Sequence, residues 1–210
     1  MLRKQIMVTP DTALPGRSDS MLIEKKHYVN KNDITAEPAQ NQQKILFGMG
    51  CFWGAERLFW QLEGVISTAV GYSGGYTPNP TYDEVCTGRT GHTEVVRIIY
   101  DPQIITLPEL LNVFWEHHNP TQGMQQGNDI GSQYRSAIYF YNEQQQHSIE
   151  KSQKIYQKAL NEKSIARITT EIGPAGPYYY AETYHQQYLA KNPAGYCGLN
   201  GTGVCFPPEK

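Results

Sequence analysis

The sequence predicts an α+β fold: a two-layer sandwich with a split βαβ (ferredoxin-like) core, a mixed sheet, and long irregular segments at both ends. The main observation is the order of the predicted elements, β-α-β-β-α-β, which is typical of a split βαβ sandwich. The chain has 210 residues, 39% of them hydrophobic, which suits one core-forming domain rather than two. No internal repeat with a period of about 20 to 50 residues is present, which argues against a solenoid.

Two kinds of hydrophobic pattern predict the first four elements. Residues 44–50 form an apolar run typical of a buried strand, and a helical spacing follows it. The spacing is carried by Phe52, Ala55, Leu58, Phe59 and Leu62. Residues 65–72 and 92–102 are rich in β-branched side chains and predict two more strands, with a loop over residues 73–91 between them.

The second half of the pattern adds two helices and two strands. Thr106 and Glu109 have the spacing of a capping box and begin a predicted helix over residues 106–118. The remaining predictions are a loop over residues 119–134, a strand over 135–141, a polar helix over 143–163, a strand over 166–172 and an irregular tail beyond Gly173.

Residues 1–42 differ in character from the rest of the chain. They are polar, contain several prolines and show no sustained helical or strand period. We expect an irregular arm that packs on the main domain, residues 43–210, because scattered apolar side chains can anchor it. These are Leu14, Leu22, Ile23 and Tyr28.

Charge and hydropathy exclude several classes of partner. The formal net charge of −2 gives no electrostatic reason to expect a nucleic acid or a membrane surface as partner. No apolar run approaches the roughly 20 residues that span a bilayer, and the N-terminal sequence lacks the apolar stretch of a secretory signal. We therefore expect a cytoplasmic protein, in which the four cysteines are too few for a disulfide scaffold.

Cys51 lies where a buried strand meets the N-terminus of a helix. Unpaired backbone N–H groups and the helix dipole stabilise a thiolate at such a position, so we expect a reactive thiol there. Phe52 and Trp53 follow at once. They form either an apolar pocket beside the thiol or ordinary helix–sheet packing, and the spacing alone does not decide between the two.

Several collinear motifs resemble the peptide methionine sulfoxide reductase A family. They are GCFWGAE at residues 50–56, GGYTPNPTYDEVCTGRTGHTEVV at 74–96, GNDIGSQYRSAIY at 127–139 and GYCG at 195–198. The resemblance covers most of the chain from about residue 45, and the arm with ALPGR resembles the long-form members. It implies a catalytic domain over residues 43–210 that reduces the S epimer of methionine sulfoxide, free or in proteins, as a repair of oxidative damage.

The resemblance also implies roles for particular side chains. Cys51 is the nucleophile, and Glu94 is the acid that protonates the sulfoxide oxygen, which the chemistry requires near the attacking thiolate. Tyr82 and Tyr134 assist Glu94 as hydrogen-bond donors, and Asp129 organises the pocket or binds the substrate backbone. Phe52 and Trp53 then form the substrate pocket.

Cys197 and Cys205 lie in a glycine-rich tail that is flexible enough to carry a thiol to the site. A second thiol can condense with a sulfenic acid on Cys51, and a dithiol protein such as thioredoxin can then reduce the disulfide. The resemblance implies that Cys197 resolves Cys51 and that Cys205 then takes over the bond. No organic cofactor is expected. A zinc site is disfavoured because seven residues separate Cys197 and Cys205, and Cys86 is expected to be a bystander.

Three other functions remain open on the residues alone, and the least favoured of them is a purely structural or binding role without chemistry. A Cys–His hydrolase would use Cys51 with one of several histidines as base, but it has no need for two extra thiols in the tail. The histidines concerned are His92, His117, His118 and His185. A nucleotide-binding module is disfavoured because GMGCFWG has the spacing G-x-G-x-x-x-G rather than G-x-G-x-x-G. We expect a monomer.

Overall fold

The computed structural model describes residues 2–208. Six strands form its main sheet: β1 (Gln43–Met49), β2 (Val65–Ser73), β3 (Thr93–Tyr100), β6 (Ser136–Phe140), β7 (Glu171–Pro174) and β8 (Tyr179–Tyr180). A separate two-stranded hairpin consists of β4 (Gln125–Gln126) and β5 (Asp129–Ile130). The α-helices are α1 (Phe52–Trp60), α2 (Tyr82–Cys86), α3 (Leu107–His117), α4 (Glu143–Glu162) and α5 (Tyr188–Lys191). Short 3-10 helices cover Leu2–Gln5 and Ser132–Tyr134.

The strand order of the main sheet is β7-β6-β1-β3-β2-β8. Helix α1 connects β1 to β2, and β3 lies between these two strands and is antiparallel to both. Strand β6 is antiparallel to β1, whereas β7 is parallel to β6. The predicted α+β class and the mixed sheet are confirmed.

Both faces of the sheet are buried, and the central strand β3 is buried along all eight residues. On one face, Phe47 packs against Phe59 of α1 and Phe114 of α3, with ring centroids 5.4 and 5.0 Å apart. On the other face, Leu46 and Val95 belong to a smaller apolar cluster that the segment after β7 covers. A sheet buried on both faces explains why its strands are continuous apolar runs.

The N-terminal arm covers part of this second face of the sheet. Arg97 of β3 is buried and donates hydrogen bonds to the backbone oxygens of Ile34 and Ala36 in the arm. The backbone N–H of Glu24 donates to the Thr183 hydroxyl at 2.9 Å. Thus the arm contacts both the sheet and the segment that precedes α5.

The helix over residues 106–118 is confirmed as α3, with Thr106 as N-cap and both bonds of the capping box to Glu109 in place. Helix α4 also lies where it was predicted. The prediction of a loop over residues 73–91 was wrong at its centre, because α2 forms there on a second capping box between Thr81 and Glu84. No helix within residues 2–208 is long and apolar enough to cross a membrane.

Two further predictions need correction. The strand predicted over residues 166–172 begins only at Glu171, because the preceding backbone bonds elsewhere: Ile168 N–H to the Gln157 side chain and Thr169 N–H to the Pro120 oxygen. The loop predicted over residues 119–134 contains the β4–β5 hairpin and a 3-10 helix.

Candidate active site

Cys51 is the N-cap of α1, directly after the turn that ends β1. Gly50 makes this turn with a positive φ of 88°, and a Cβ there would lie 2.6 Å from the Gln126 side chain. Only glycine fits both requirements. The sulfur is therefore placed at the first turn of the helix by the local backbone.

Burial raises the pKa of the Cys51 thiol above its ordinary value, and the charge of Glu94 raises it further. The backbone N–H of Trp53 acts in the opposite direction and lowers the pKa. The helix N-terminus thus favours the thiolate as the sequence predicts, but burial and the neighbouring carboxyl outweigh it. In the absence of a ligand the thiol is protonated.

Glu94 of β3 reaches the same helix turn. The residue is 2% exposed, and the backbone N–H of Phe52 donates to its Oε2 at 2.9 Å. Burial raises the pKa of Glu94 to about 8, and the charge of Asp129 adds to this, although the Phe52 N–H lowers it. Glu94 is therefore protonated at neutral pH, and its carboxyl lies beside Phe52, the residue that follows Cys51.

Tyr82 and Tyr134 approach this carboxyl from two different elements. Tyr82 is the first residue of α2, and Tyr134 ends the 3-10 helix before β6. Burial raises the pKa of both phenols, and the charge of Glu94 is the next cause for each. For Tyr134, Cys51 also contributes. Both side chains therefore remain phenols, which can donate hydrogen bonds in the neighbourhood of Cys51 and Glu94.

Asp129 lies in β5 at the edge of this group. Its carboxylate accepts a hydrogen bond from the Tyr196 hydroxyl at 3.3 Å, and burial raises its pKa. Because Tyr196 precedes Cys197, this contact attaches the tail to the side of the site that carries Asp129.

Phe52 and Trp53 form an aromatic group with side chains from distant parts of the chain. Phe52 is buried, and its ring lies 5.9 Å from the ring of Tyr72. Trp53 is partly buried and stacks on Tyr188 at 3.9 Å with an interplanar angle of 16°. Its indole Nε1–H donates to Nδ1 of His185 at 2.9 Å.

All four cysteines are free thiols, and Cys197 and Cys205 are exposed. Cys197 packs on α1, since a Cβ on Gly54 would lie 2.9 Å from its sulfur. Cys205 is farther along and is flanked by anchored residues: the Tyr156 hydroxyl donates to the Val204 oxygen at 3.0 Å, and Phe206 stacks on Tyr156. Beyond Gly173 the tail is irregular as predicted except for β8 and α5, which the prediction missed, and contacts with α1 and α4 hold its cysteine-bearing end in place.

Two residues near this site were given no part in sulfoxide reduction by the sequence analysis. Cys86 lies one helical turn after Tyr82 and influences the pKa values of both Tyr82 and Tyr134. The i, i+4 spacing of Tyr82 and Cys86 is the only local signal for this. His185 contacts Trp53, which is 132 residues away in the sequence, and no periodic pattern in the sequence predicts that contact.

The hydrolase alternative finds no support in the histidines. His92 bonds Gly75 and Thr77, whereas His118 bonds Phe114 and Ser136. His117 is exposed and bonds the Val113 oxygen. His185 accepts from Trp53 as described. None of these bonds involves Cys51. Within residues 2–208, no group of three or more His, Cys, Asp or Glu side chains could hold a metal ion.

A half-buried thiol at a helix N-terminus, a protonated carboxyl hydrogen-bonded to the same helix turn and a second thiol packed against that helix define a thiol-dependent oxidoreductase. Residues 43–203 match the family model described as peptide methionine sulfoxide reductase. This chain belongs to that family and to its MsrA type, as its similarity to curated relatives also shows.

One such relative is the peptide methionine sulfoxide reductase MsrA of Vibrio vulnificus, which is 68% identical over 99% of this chain and 100% of its own length. Among solved structures, methionine sulfoxide reductase A of Corynebacterium diphtheriae is 45% identical, with a TM-score of 0.83 over 97% of this chain and 100% of that one. Mxr1 from Saccharomyces cerevisiae in reduced form is 32% identical, with a TM-score of 0.71 over 83% of this chain and 97% of that one. The yeast protein has also been solved in complex with Trx2, where the identity of 21% and the TM-score of 0.51 show the fold alone.

Proposed function

We propose that this chain reduces methionine-S-sulfoxide, free or in proteins, to methionine, with Cys51 as nucleophile and Glu94 as acid. The observation that carries the proposal is the Glu94 carboxyl, buried and bonded to the backbone of the turn that begins at Cys51. Its pKa of about 8 leaves it protonated at neutral pH. A thiolate attacks a sulfoxide sulfur only when the oxygen is protonated or strongly hydrogen-bonded, and Glu94 can supply that proton.

The reaction balances without a cofactor. The Cys51 sulfur forms a bond to the sulfoxide sulfur while the oxygen takes a proton from Glu94, and Tyr82 and Tyr134 donate hydrogen bonds to the same oxygen. The oxygen then transfers to Cys51, which becomes a sulfenic acid as methionine leaves. The thiol of Cys51 loses its own proton, which returns Glu94 to its protonated state. Cys51 is oxidised by two electrons and the sulfoxide is reduced by two.

The substrate methyl group is held in this proposal by Phe52 and Trp53, and Asp129 binds the substrate backbone. Support comes from the buried ring of Phe52 and the stacked indole of Trp53, both on the first turn of α1. An apolar wall beside a thiol suits a methyl thioether better than a charged group. The choice of the S epimer rests on membership of the MsrA type.

Regeneration of Cys51 is proposed to run through the tail. Cys197 attacks the sulfenic acid, which forms a Cys51–Cys197 disulfide and releases water, and Cys205 then exchanges with it to give an outward disulfide. The packing of Cys197 against α1, the helix that Cys51 caps, supports this order. Thioredoxin is the proposed reductant, since the yeast relative Mxr1 forms a complex with Trx2. The protein needs no prosthetic group in this scheme.

The test of the proposed function is a single-turnover assay without external reductant. Reduced protein is mixed with separate S and R epimers of a methionine sulfoxide peptide, and wild type is compared with Cys51→Ser. We expect stoichiometric conversion of the S epimer alone and none by the variant. Conversion of neither epimer by wild type would reject the reaction, and conversion by Cys51→Ser would reject the nucleophile.

We also infer that the core is a split βαβ arrangement, residues 43–210 being the catalytic domain and residues 1–42 an accessory arm. The parallel pair β1 and β2 with β3 between them supports this description. A cytoplasmic monomer remains our proposal for the working form. Sedimentation of the purified chain tests the oligomeric state.

A further inference from the structure

The imidazole of His185 lies inside the aromatic group beside Cys51. Its ring centroid is 5.2 Å from Phe52 and 5.7 Å from Trp53, both on α1, and 4.3 Å from Tyr82 on α2. The side chain is 1% exposed. The His185 ring thus contacts aromatic side chains of two different helices, α1 and α2.

The hydrogen bonds of His185 fix its protonation state. An indole Nε1–H can only donate, so Nδ1 of His185 must accept from Trp53 and the proton of the neutral ring sits on Nε2. Burial lowers the pKa of His185 to about 4, which keeps the ring neutral in the physiological range. Nε2 has no hydrogen-bond partner among the described residues, and Glu182 Oε2 is 4.0 Å away.

The same short segment also holds α2. Glu182 accepts the backbone N–H of Tyr82 at 2.9 Å and the Tyr72 hydroxyl at 3.0 Å. Glu182 therefore fixes where α2 begins, while His185, three residues later, fixes the indole plane of Trp53. The segment 182–185 therefore sets the position of two walls of the pocket relative to each other, one on α1 and the other on α2.

We propose that His185 is a positioning residue that fixes the Trp53 indole and the Tyr82 ring against Phe52 and so sets the size of the methyl-binding pocket. This inference rests on the proposed function of that pocket. His185 acts through Trp53 and Tyr82 and needs no contact with the substrate.

Because His185 acts on the substrate pocket and not on the reacting groups, its loss should change KM more than kcat. Glu94 is held by the Phe52 backbone rather than by His185, so the acid and the nucleophile keep their places when the imidazole is lost. Substrate binding and discrimination between alkyl groups then suffer more than the chemical step. A role in stability alone would instead lower the melting temperature without affecting KM.

The experiment compares His185→Phe, which keeps a buried ring but removes the acceptor, with His185→Asn, whose side-chain oxygen can replace Nδ1. We expect His185→Phe to raise KM for the S-sulfoxide roughly tenfold, with kcat within about threefold of wild type. The preference for methyl over ethyl sulfoxide should fall, and His185→Asn should restore part of both values. The matched control is His118→Phe, a second buried neutral imidazole that bonds Phe114 and Ser136 instead. It should lower stability and leave KM unchanged.

A double-mutant cycle keeps the proposal testable if His185→Phe does not fold. Trp53→Phe removes the indole donor and His185→Leu removes the acceptor, and their effects on KM should not add, because both break the same hydrogen bond. Additive effects, or an unchanged KM and alkyl preference in His185→Phe beside an active wild type, would overturn the proposal and leave the proposed function intact. Wild type that reduces neither epimer would overturn both.

Discussion

At the scale of single residues, the first chemical step, formation of the sulfenic acid on Cys51, depends on the proton that Glu94 supplies. Glu94→Gln keeps an oxygen that can accept from the Phe52 N–H but has no proton of carboxylic acidity to give. We expect sulfenic acid formation to slow by about 100-fold or more while substrate affinity stays near that of wild type. Rapid-quench single-turnover measurements give both values. An unchanged rate would remove Glu94 as the acid.

The raised pKa of Glu94 adds a pH dependence to the same step. With a pKa of about 8, the carboxyl is protonated below that pH and loses its proton above it, so the acid form disappears as pH rises. The rate of the first step should therefore fall above about pH 8 in the wild type. Glu94→Gln should lack this alkaline decline, and persistence of the decline in the variant would assign it to another group.

How much of the site could be predicted depends on where each residue's partners lie in the sequence. Cys51 and Glu94 stand in local motifs, and the structure brings them to one helix turn. His185 could not be predicted, because its partner Trp53 is 132 residues away and the contact leaves no pattern in either segment. The raised pKa of Cys51 is likewise a result of burial, which depends on the whole fold and not on its place before a helix.

At the scale of elements, predictions succeeded where amphipathic pattern and capping agreed. Helices α3 and α4 have both a cap and an apolar face, and the long strands have continuous apolar runs. Helix α2 was missed because five residues are too few to show a period, although Thr81 and Glu84 carry its cap. The start of β7 was misplaced because Ile168 and Thr169 bond a neighbouring helix and loop, which only tertiary structure decides.

A substitution in helix α1 can separate sulfenic acid formation on Cys51 from the disulfide relay through the tail. In Gly54→Ala the new methyl would lie 2.9 Å from the Cys197 sulfur and 3.0 Å from Leu199, so the tail must move away from the helix. Alanine also favours a helix by up to about 1 kcal/mol, so stability should not fall. We expect normal sulfenic acid formation and slower formation of the Cys51–Cys197 disulfide, measured by thiol counting over time. Gly176→Ala is the control, since nothing lies within 4 Å of its Cβ, and equal disulfide rates in the two variants would contradict the prediction.

The anchored tail leads to a prediction for Cys205. Cys205→Ser should spare the first turnover and the Cys51–Cys197 disulfide, because neither involves the second tail thiol, but should slow recycling by thioredoxin at least tenfold, a rough bound for losing an exposed exchange partner. Steady-state turnover with thioredoxin against turnover with dithiothreitol, which can reach an inner disulfide directly, measures this. Full turnover with thioredoxin in the variant would exclude the relay through Cys205.

At the scale of the whole molecule, the fold buries ionisable groups of both kinds, and their effects on stability oppose each other. Burial raises the pKa of Glu94 to about 8 and that of Glu56 to about 7, and it lowers the pKa values of His27, His118 and His185 to about 4. The carboxyls stabilise the fold at low pH and lose this contribution as pH rises through 7 and 8. The histidines stabilise it above their ordinary pKa of 6.5 and lose this contribution as pH falls toward 4.

The balance of these groups predicts a maximum in the free energy of unfolding near pH 6.5. Between about pH 4.5 and 6.5 these three histidines, together with buried His92, whose pKa burial also lowers, outweigh the two carboxyls, so stability rises with pH, whereas above that range only the carboxyls still change and stability falls. The free energy of unfolding should be lower by about 1 kcal/mol at both pH 5 and pH 8, as urea denaturation across this range would measure. Glu94→Gln should remove most of the alkaline decline, because Glu94 has the higher of the two carboxyl pKa values. A wild-type stability that continues to rise from pH 6.5 to pH 8 would mean that Glu94 and Glu56 are ionised in the folded chain at neutral pH, and Glu94 could then not serve as the acid.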